Sequence, residues 1–325
     1  MNKELDVIAL GELLIDFTSY DTSPQGNPLL EANPGGAPCN VLAMLAKLQH
    51  RTAFIGKVGN DGFGKQLKEA IEEMQIASDA LVLDDNYPTT LAIVLKKANG
   101  DRDFSFYRNQ GADIMLNKNE IPEELFKKAR LFHYGSLSLC DEPSAEAHLL
   151  ALSYAEKYGL IKSFDPNLRQ PLWSSLDKAR AMIAKGLSHA DVLKISDNEI
   201  TWFTGEKDYD AGIQKLQAAY PNLKLIALTM GPDGSRAYYK DLRVEHPAYL
   251  NQGDIETTGC GDTFCACLLD MVLNKGLDKL KEDDLKAMLC FGNAAASIVS
   301  TRKGALRVMP TPQEIADFLK EKDNG

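Results

Sequence analysis

The segment Glu256-Thr257-Thr258-Gly259-Cys260-Gly261-Asp262-Thr263-Phe264 sets two glycines and the carboxylate of Asp262 ahead of an apolar run, Phe264-Cys265-Ala266-Cys267-Leu268-Leu269, with Met271-Val272-Leu273 one turn further on. This composition predicts a loop feeding a buried helix, with Asp262 in the first turn. Such a helix start offers unpaired backbone N–H groups and a favourable dipole to an anion. Glycine lets the backbone approach a phosphate without interference from a Cβ. A carboxylate in that position repels an anion, so it is better suited to take a proton while the N–H groups hold the developing charge. Aspartate is also a favoured N-cap residue. The segment alone leaves both readings of Asp262 open, general base or helix cap.

The elements that must position these groups follow from periodicity. Val7-Ile8-Ala9-Leu10-Gly11 reads as a short apolar strand, and Glu12-Leu13-Leu14-Ile15-Asp16-Phe17 continues it, which places Asp16 at a strand end where ligands gather in open α/β sheets. Residues 18–33 are polar and turn-rich. Gly35-Gly36 then precedes a helix running through Leu48, with Pro38 in its first turn and the Asn40 amide just inside it. Thr52–Gly59 is the next strand, followed by a helix from about 65 to 74. Gly59–Lys65 spells G-x-x-x-x-G-K, but Gln66 stands where a P-loop needs a magnesium-binding hydroxyl, so the segment reads as a strand-to-helix turn. Residues 89–108 read as a hairpin turning at Asn99-Gly100. Together with 12–33 it forms a small sheet outside the main one.

From residue 130 onward strands and helices alternate. Strands fall at 131–134, 161–164, 191–195 and 223–229, and helices at about 144–158, 176–187 and 209–219, with another after Ser196. Residues 235–239 and 242–246 form an edge hairpin. A long apolar helix covers about 283–300, and Thr311-Pro312 opens a last helix to about 321. The expected fold class is therefore α/β, a doubly wound, mostly parallel sheet flanked by helices. Without a repeat or a linker, 1–325 reads as one domain with lid segments at about 12–33 and 89–110 inserted. Polar groups recur just after strands: Asp16, Asp165-Pro166-Asn167-Leu168-Arg169, Lys194 with Glu199, Thr229-Met230-Gly231, and Asp262. Singly, Asp165-Pro166-Asn167 is a turn by composition and Glu199 a first-turn acid that complements a helix dipole. Five such groups on one sheet edge point to a shared ligand site.

Composition narrows the partners. A net charge of −10 over 325 residues, without a basic cluster, argues against nucleic acid. No apolar run approaches the roughly 20 residues of a membrane span, and the N-terminus lacks a signal-peptide pattern, so the expected location is cytoplasmic. The six cysteines show no disulfide spacing. Cys265 and Cys267 would point about 200° apart on a helix, and no histidine lies nearby, so they read as buried thiols.

Two longer segments carry a family resemblance. Gly35-Gly36-Ala37-Pro38-Cys39-Asn40, followed by Phe54-Ile55-Gly56-Lys57-Val58-Gly59-Asn60-Asp61-Gly62-Phe63-Gly64, resembles the first signature of the ribokinase/pfkB carbohydrate kinases. Thr257-Thr258-Gly259-Cys260-Gly261-Asp262-Thr263-Phe264 resembles the second. Asp165-Pro166-Asn167-Leu168-Arg169, Lys194-Ile195-Ser196-Asp197 and Phe106-Tyr107-Arg108 are most similar to the bacterial fructokinase branch. The likeness runs from about Asp6 to Phe318. It implies a ribokinase-like, ATP- and Mg2+-dependent kinase that phosphorylates D-fructose to fructose 6-phosphate. The alternative is another member of the family, a 2-keto-3-deoxygluconate kinase or a ribokinase, the former kept open by Arg108 and Arg169 as partners for a carboxylate.

By the same resemblance Asp262 is the base, and Gly259, Cys260 and Gly261 supply the anion hole. Asp16, Gly35, Gly36 and Asn40 hold sugar hydroxyls, and Phe106 and Arg108 reach the sugar from the lid. Arg169, on the substrate side, and Lys194 face the phosphates. Thr229, Gly231 and Gly234 form the nucleotide loop, with Asn293 near adenine. Glu199 matches the end of the N-x-x-E element that organises magnesium through water, although Ser196 replaces its asparagine. Cys260 replaces an alanine at a position that acts through backbone. Glu256 replaces the aspartate that helps bind K+ in potassium-activated relatives, and its longer side chain leaves that dependence open. A homodimer through the small sheet is expected from the exposed edges such a sheet leaves.

Overall fold

The computed structural model describes residues 3–96, 102–251 and 256–323, so the expected Asn99-Gly100 turn lies outside the described residues. In chain order the first half forms β1 (Leu5–Leu10), β2 (Leu14–Thr22), β3 (Pro28–Gly35), α1 (Ala37–Lys47), β4 (Thr52–Gly59), α2 (Gly62–Glu73), β5 (Ile76–Asp84), β6 (Leu91–Lys96) and β7 (Arg102–Tyr107). Next come α3 (Glu123–Lys128), β8 (Ala129–Gly135), α4 (Ser144–Lys157), β9 (Ile161–Asp165), α5 (Leu176–His189), β10 (Val192–Ser196), α6 (Asp197–Thr204) and α7 (Tyr209–Ala219). The chain closes with β11 (Leu225–Thr229), β12 (Ser235–Tyr239), β13 (Leu242–His246), α8 (Cys260–Lys275), α9 (Glu282–Val299) and α10 (Pro312–Asp323).

Nine strands make the main sheet in the order β13-β12-β11-β10-β9-β8-β1-β4-β5. It is parallel except at β12 and β13, which pair antiparallel at one edge. Its central strands are apolar on both faces because helices cover both. Every residue of β4 is buried, for instance. Phe54 and Val58 pack on one side with α1, α2, α8, α9 and α10, while Ala53 and Ile55 pack on the other with α3 to α7. On that second side Phe132 and Tyr134 of β8 and Phe164 of β9 stack in a row, with ring centroids 5.4 and 4.9 Å apart. From β1 the strand order proceeds to β4 on one side and β8 on the other. This reversal opens a crevice at the carboxyl ends of the strands, where such folds take their ligands.

Four strands, β3-β2-β6-β7, form a separate small sheet. The first strand does not continue to Phe17, as periodicity suggested. It ends at Leu10, and β2 belongs to the small sheet. The chain leaves the main sheet at Gly11, where a Cβ would lie 2.5 Å from the Pro38 ring, so only glycine permits this crossing. β5 was not anticipated. Its run Ile76-Ala77-Ser78-Asp79-Ala80-Leu81-Val82-Leu83-Asp84 mixes acids with apolar residues because it is an edge strand, paired only with β4. Gly59–Lys65 is the expected strand-to-helix turn, capped by Asp61, whose side chain accepts from the Gly64 N–H. Among the described residues no helix is long and apolar enough to cross a membrane.

The small sheet is tied to the main body by Arg108, just past β7. Its Nε and Nη2 donate to Asp113 Oδ2 at 2.7 and 2.6 Å, and Nη2 also donates to the Leu137 carbonyl at 3.0 Å. The other Asp113 oxygen accepts from the Thr90 hydroxyl at 2.5 Å. Arg108 was expected to reach a sugar, but it does not line the cavity described below. A guanidinium that is only 6% exposed needs a fixed counter-charge, and Asp113 supplies it. Removing that partner strands a buried cation. We therefore expect Asp113→Ala to lose about 3–5 kcal/mol of stability, the range for breaking a buried pair, as a drop in the urea unfolding midpoint.

Candidate active site

α8 begins at Gly259, which adopts φ +80° and has no side chain to cap the helix. Among the described residues the Gly261 and Asp262 N–H groups have no backbone acceptor, as expected of a first turn. Gly261 is also sterically fixed, since a Cβ there would come within 3.0 Å of Lys194 Nζ. Asp262, the third residue of the helix, is not its cap. Its Oδ2 accepts from Asn40 Nδ2 at 2.8 Å, a bond that joins α8 to α1 across 222 positions of sequence. Burial raises the Asp262 carboxyl above its ordinary pKa, while the Asn40 bond and the charges of Lys194 and Arg169 oppose the rise. Asn40 Oδ1 is buried with no protein partner, as suits an amide that waits for a donor such as a hydroxyl.

These groups face a cavity of about 350 Å³. It brings together Asp16, Gly36, Asn40, Phe106, Arg169, Lys194, Glu199, Thr229, Gly259, Gly261 and Asp262. A second cavity of about 370 Å³ adjoins it through Thr229, Thr257 and Gly261, and takes in Gly231, Gly234, Cys260 and Asn293. Of the site residues read from sequence, only Gly35, Arg108 and Glu256 line neither.

The small sheet supplies one wall. Strand alternation turns Leu14, Asp16 and Thr18 of β2 to the cavity, and register sets Asp16 beside Ala92 of β6, which in turn pairs with Phe106 of β7. Gly35 acts from behind, because a Cβ there would lie 2.3 Å from Asp16 Oδ2. Burial pushes the half-buried Asp16 carboxyl up to about 7, with Arg169 pulling down and Asp262 and Glu256 pushing further up.

The main sheet supplies the opposite wall. Lys194, on β10, pairs with Asp165 Oδ2 at 3.1 Å. Burial lifts Asp165 to about 6 despite Lys194. Burial alone would lower Lys194, but Asp165, Glu199 and Asp262 outweigh it and keep the ammonium charged. Glu199 closes a capping box with Ser196, accepting from its N–H and hydroxyl at 2.9 Å each, and its other oxygen accepts from the Leu168 N–H at 2.7 Å. It thereby holds the loop that carries Asn167 and Arg169. Serine serves this box as asparagine would, so the departure from N-x-x-E costs no local structure.

Asn293 and Glu256 also hold partners within the protein. Asn293 accepts from Ser235 Oγ at 2.9 Å and donates to the carbonyls of His246 and Pro247 at 3.2 and 3.0 Å. Gly234 is needed where it stands, since a Cβ would meet the His246 carbonyl at 2.1 Å. Glu256 accepts from the Thr258 hydroxyl at 2.8 Å, and its N–H donates to the Ser300 carbonyl at 2.8 Å.

One residue escaped the sequence reading. Glu12, 4% exposed, lines the first cavity, and its Oε1 accepts from the Ala37 N–H at 2.9 Å, capping α1 where Gly36 has no side chain to do so. Burial pushes its carboxyl up to about 7. The available signal was an acid isolated within the otherwise apolar run from Val7 to Ile15. Gly36 packs directly on it, with φ +130° and no room for a Cβ, which would sit 2.3 Å from the Glu12 carbonyl.

A buried carboxylate facing open helix N–H groups, between a polar crevice and a slot leading away from it, defines the class of small-molecule kinases on an α/β sheet. The chain belongs to the pfkB family carbohydrate kinases, whose pattern it matches over residues 4–312. It is 38% identical over 322 residues to probable fructokinase-2 of Arabidopsis thaliana, covering 98% of this chain and 97% of that one. Its fold is similar to that of a fructokinase with bound ATP from Xylella fastidiosa, with a TM-score of 0.88, 29% identity, and 98% and 99% of the two chains covered. A double-mutant fructokinase from Vibrio cholerae O395, in a fructose-, ADP- and potassium-bound form, superposes with a TM-score of 0.86 at 27% identity, covering 98% and 100%.

The buried acids carry a pH signature. Asp16 binds its proton up to about pH 7 in the fold, against 3.8 as its ordinary value, so its contribution to stability is full at low pH and is lost as pH rises through 7. Asp16→Asn lacks that loss. Its melting temperature relative to the parent should climb from about pH 4 to about pH 8 and be positive at the upper end. A flat difference in calorimetric scans across that range counts against the buried Asp16 charge.

Proposed function

We propose that the protein transfers the γ-phosphoryl group of ATP to a hydroxyl of D-fructose, giving fructose 6-phosphate and ADP. The observation that carries this is Asp262: buried, held by Asn40, and set beside the open N–H groups of Gly261 and of Asp262 itself. Similarity to fructokinases along nearly the whole chain supports the choice of sugar. In this reading the sugar lies against the small sheet, with its hydroxyls on Asp16 and on Asn40 Oδ1 and its carbon skeleton against Phe106. Asp262 takes the proton of the attacking hydroxyl as its oxygen bonds to the γ-phosphorus and the bond to the ADP oxygen breaks. The N-terminus of α8, Lys194 and Arg169 neutralise the transferring oxygens. The small sheet acts as a lid that keeps water, a competing acceptor, from the phosphoryl group.

Metal ions belong to the same reading. Mg2+ would neutralise charge on the phosphates and take most of its ligands from them and from water. Glu199 has three of its roughly four lone-pair directions engaged, which suits contact through a water rather than direct coordination. A monovalent cation near Glu256 is supported by the potassium of the Vibrio relative.

The sugar-acid alternative loses one of its two cations, because Arg108 is bound to Asp113. The sugar end instead presents Glu12, Asp16 and Asp262, which disfavour a second carboxylate. A coupled assay over fructose, ribose, 2-keto-3-deoxygluconate and adenosine should show fructose as the preferred acceptor, and turnover of another sugar without fructose would sink the choice. In the same assay Asp262→Asn should lower turnover at least about 10²-fold with sugar and ATP binding largely kept, whereas near-normal rates remove Asp262 as the base.

The reading includes one kinase domain, a cytoplasmic location and a homodimer through the small sheet. What supports the dimer is the exposure of Tyr20, Leu29 and Tyr107 in that sheet, at 62%, 44% and 62%. Light scattering at micromolar concentration should give twice the chain mass; a monomer overturns it.

A further inference from the structure

The start of α1 is gripped by Gly11 and Glu12, the residues at which the chain leaves the main sheet after β1. Gly11 lies against the Pro38 ring, so close that a Cβ would stand 2.5 Å from it. The Glu12 carbonyl lies against Gly36 in the same way, and the Glu12 carboxylate accepts from the Ala37 N–H at 2.9 Å. The N-cap residue of α1 is Gly36, which has no side chain to offer. A capping side chain ordinarily comes from the helix start itself, whereas this acceptor comes from 25 positions earlier in the chain. The Gly36 carbonyl then accepts from the Asn40 N–H at 2.9 Å, which closes the first turn of the helix. Asn40 is the residue whose Nδ2 holds Asp262 at 2.8 Å and whose Oδ1 is buried without a protein partner. One series of contacts therefore runs from Glu12, through the first turn of α1, to the carboxylate at the start of α8.

We propose that Glu12 is a positioning residue for phosphoryl transfer: by fixing the first turn of α1 it sets Asn40, and through Asn40 the Asp262 carboxylate, where the acceptor hydroxyl is deprotonated. The proposal rests on the kinase reading of the preceding subsection and adds to it a residue that acts through another. The role requires an acceptor oxygen at the reach of a glutamate, not a negative charge. Glutamine meets that requirement. Aspartate keeps the charge but is one methylene too short to reach the Ala37 N–H from the same backbone position. A displacement of about 1 Å at a site away from the chemistry can lower a rate about 10²-fold. Glu12 also lines the first cavity, so direct contact with the sugar is the competing role.

The experiment is a double-mutant cycle read in steady-state fructose phosphorylation, with Glu12→Asp and Asn40→Ala alone and together, and Glu12→Gln beside them. Thermal melting of each variant accompanies the kinetics. Glu12→Asp should lower kcat by about 10- to 10²-fold, while Glu12→Gln keeps most of the parent rate. In the Asn40→Ala background Glu12→Asp should change kcat by less than about threefold, because residues that act through one contact are not additive. Equal losses in both backgrounds overturn the proposal. So does a rise in fructose KM that persists without Asn40, since Glu12 then binds the sugar itself. A parent-like kcat in Glu12→Asp, or a loss in Glu12→Gln as large as that in Glu12→Asp, overturns it as well. Glu12→Ala replaces Glu12→Asp if the latter does not fold, and failure of both to fold assigns Glu12 to folding alone and ends the proposal. Fructose turnover by the parent with an additive cycle defeats this inference alone. A parent that phosphorylates no sugar defeats the kinase reading and this inference together.

Discussion

The constraint on which the rest of the molecule depends is the burial of a carboxylate where an anion must also come. A charged Asp262 at the start of α8 would oppose any phosphate placed there, and burial raises the cost of ionising it. The fold answers with opposing dipoles and charges: the N-terminus of α8, the Asn40 amide from α1, and Lys194 from β10. Each arrives from a different element, so the site exists only when the layer that holds α1 and α8 is assembled on the sheet. A larger residue at Gly261 would press on Lys194, whose Nζ lies 3.0 Å from where a Cβ would stand.

Among the described residues acids outnumber cations around the first cavity. Glu12, Asp16, Asp165, Glu199 and Asp262 gather near Lys194 and Arg169, while Arg108 is removed into its own buried pair. Burial raises Glu12 and Asp16 to about 7 and Asp165 to about 6, so these acids hold their protons to higher pH than exposed carboxyls do. A neutral polyol suits such a surface, because its hydroxyls donate to the acids without adding charge. In the proposed reaction the phosphates enter at the opposite end, against the helix start and the two cations. Charge thus sorts the two substrates along one crevice.

Much of this was legible in the chain. Apolar runs bounded by turn residues located the main-sheet strands from 130 onward, and the glycine-rich segments located α1 and α8. The cap-or-base ambiguity of Asp262 could not be resolved locally, because its partner Asn40 lies 222 positions away. The resemblance assigned Arg108 to the sugar, and nothing in its vicinity marks Asp113, five residues on, as its buried counter-ion. Glu12 was passed over because its function is to cap a helix that starts 25 positions later. β2 was joined to the first strand since a glycine between two apolar runs does not reveal that the chain changes sheets. In each case the missing information was a long-range contact, not a local preference.

The pairing of Gly35 with Asp16 has an evolutionary corollary. Glycine at 35 is required by no turn and by no unusual backbone angle; it is required by a carboxylate on the neighbouring strand. The two positions therefore form one unit of variation. A side chain at 35 becomes tolerable once the carboxylate at 16 is gone, and its effect on an Asp16 background says little about its effect on any other. A change of acceptor sugar that begins at Asp16 would open a second site for variation directly behind it, with no further contact rearranged.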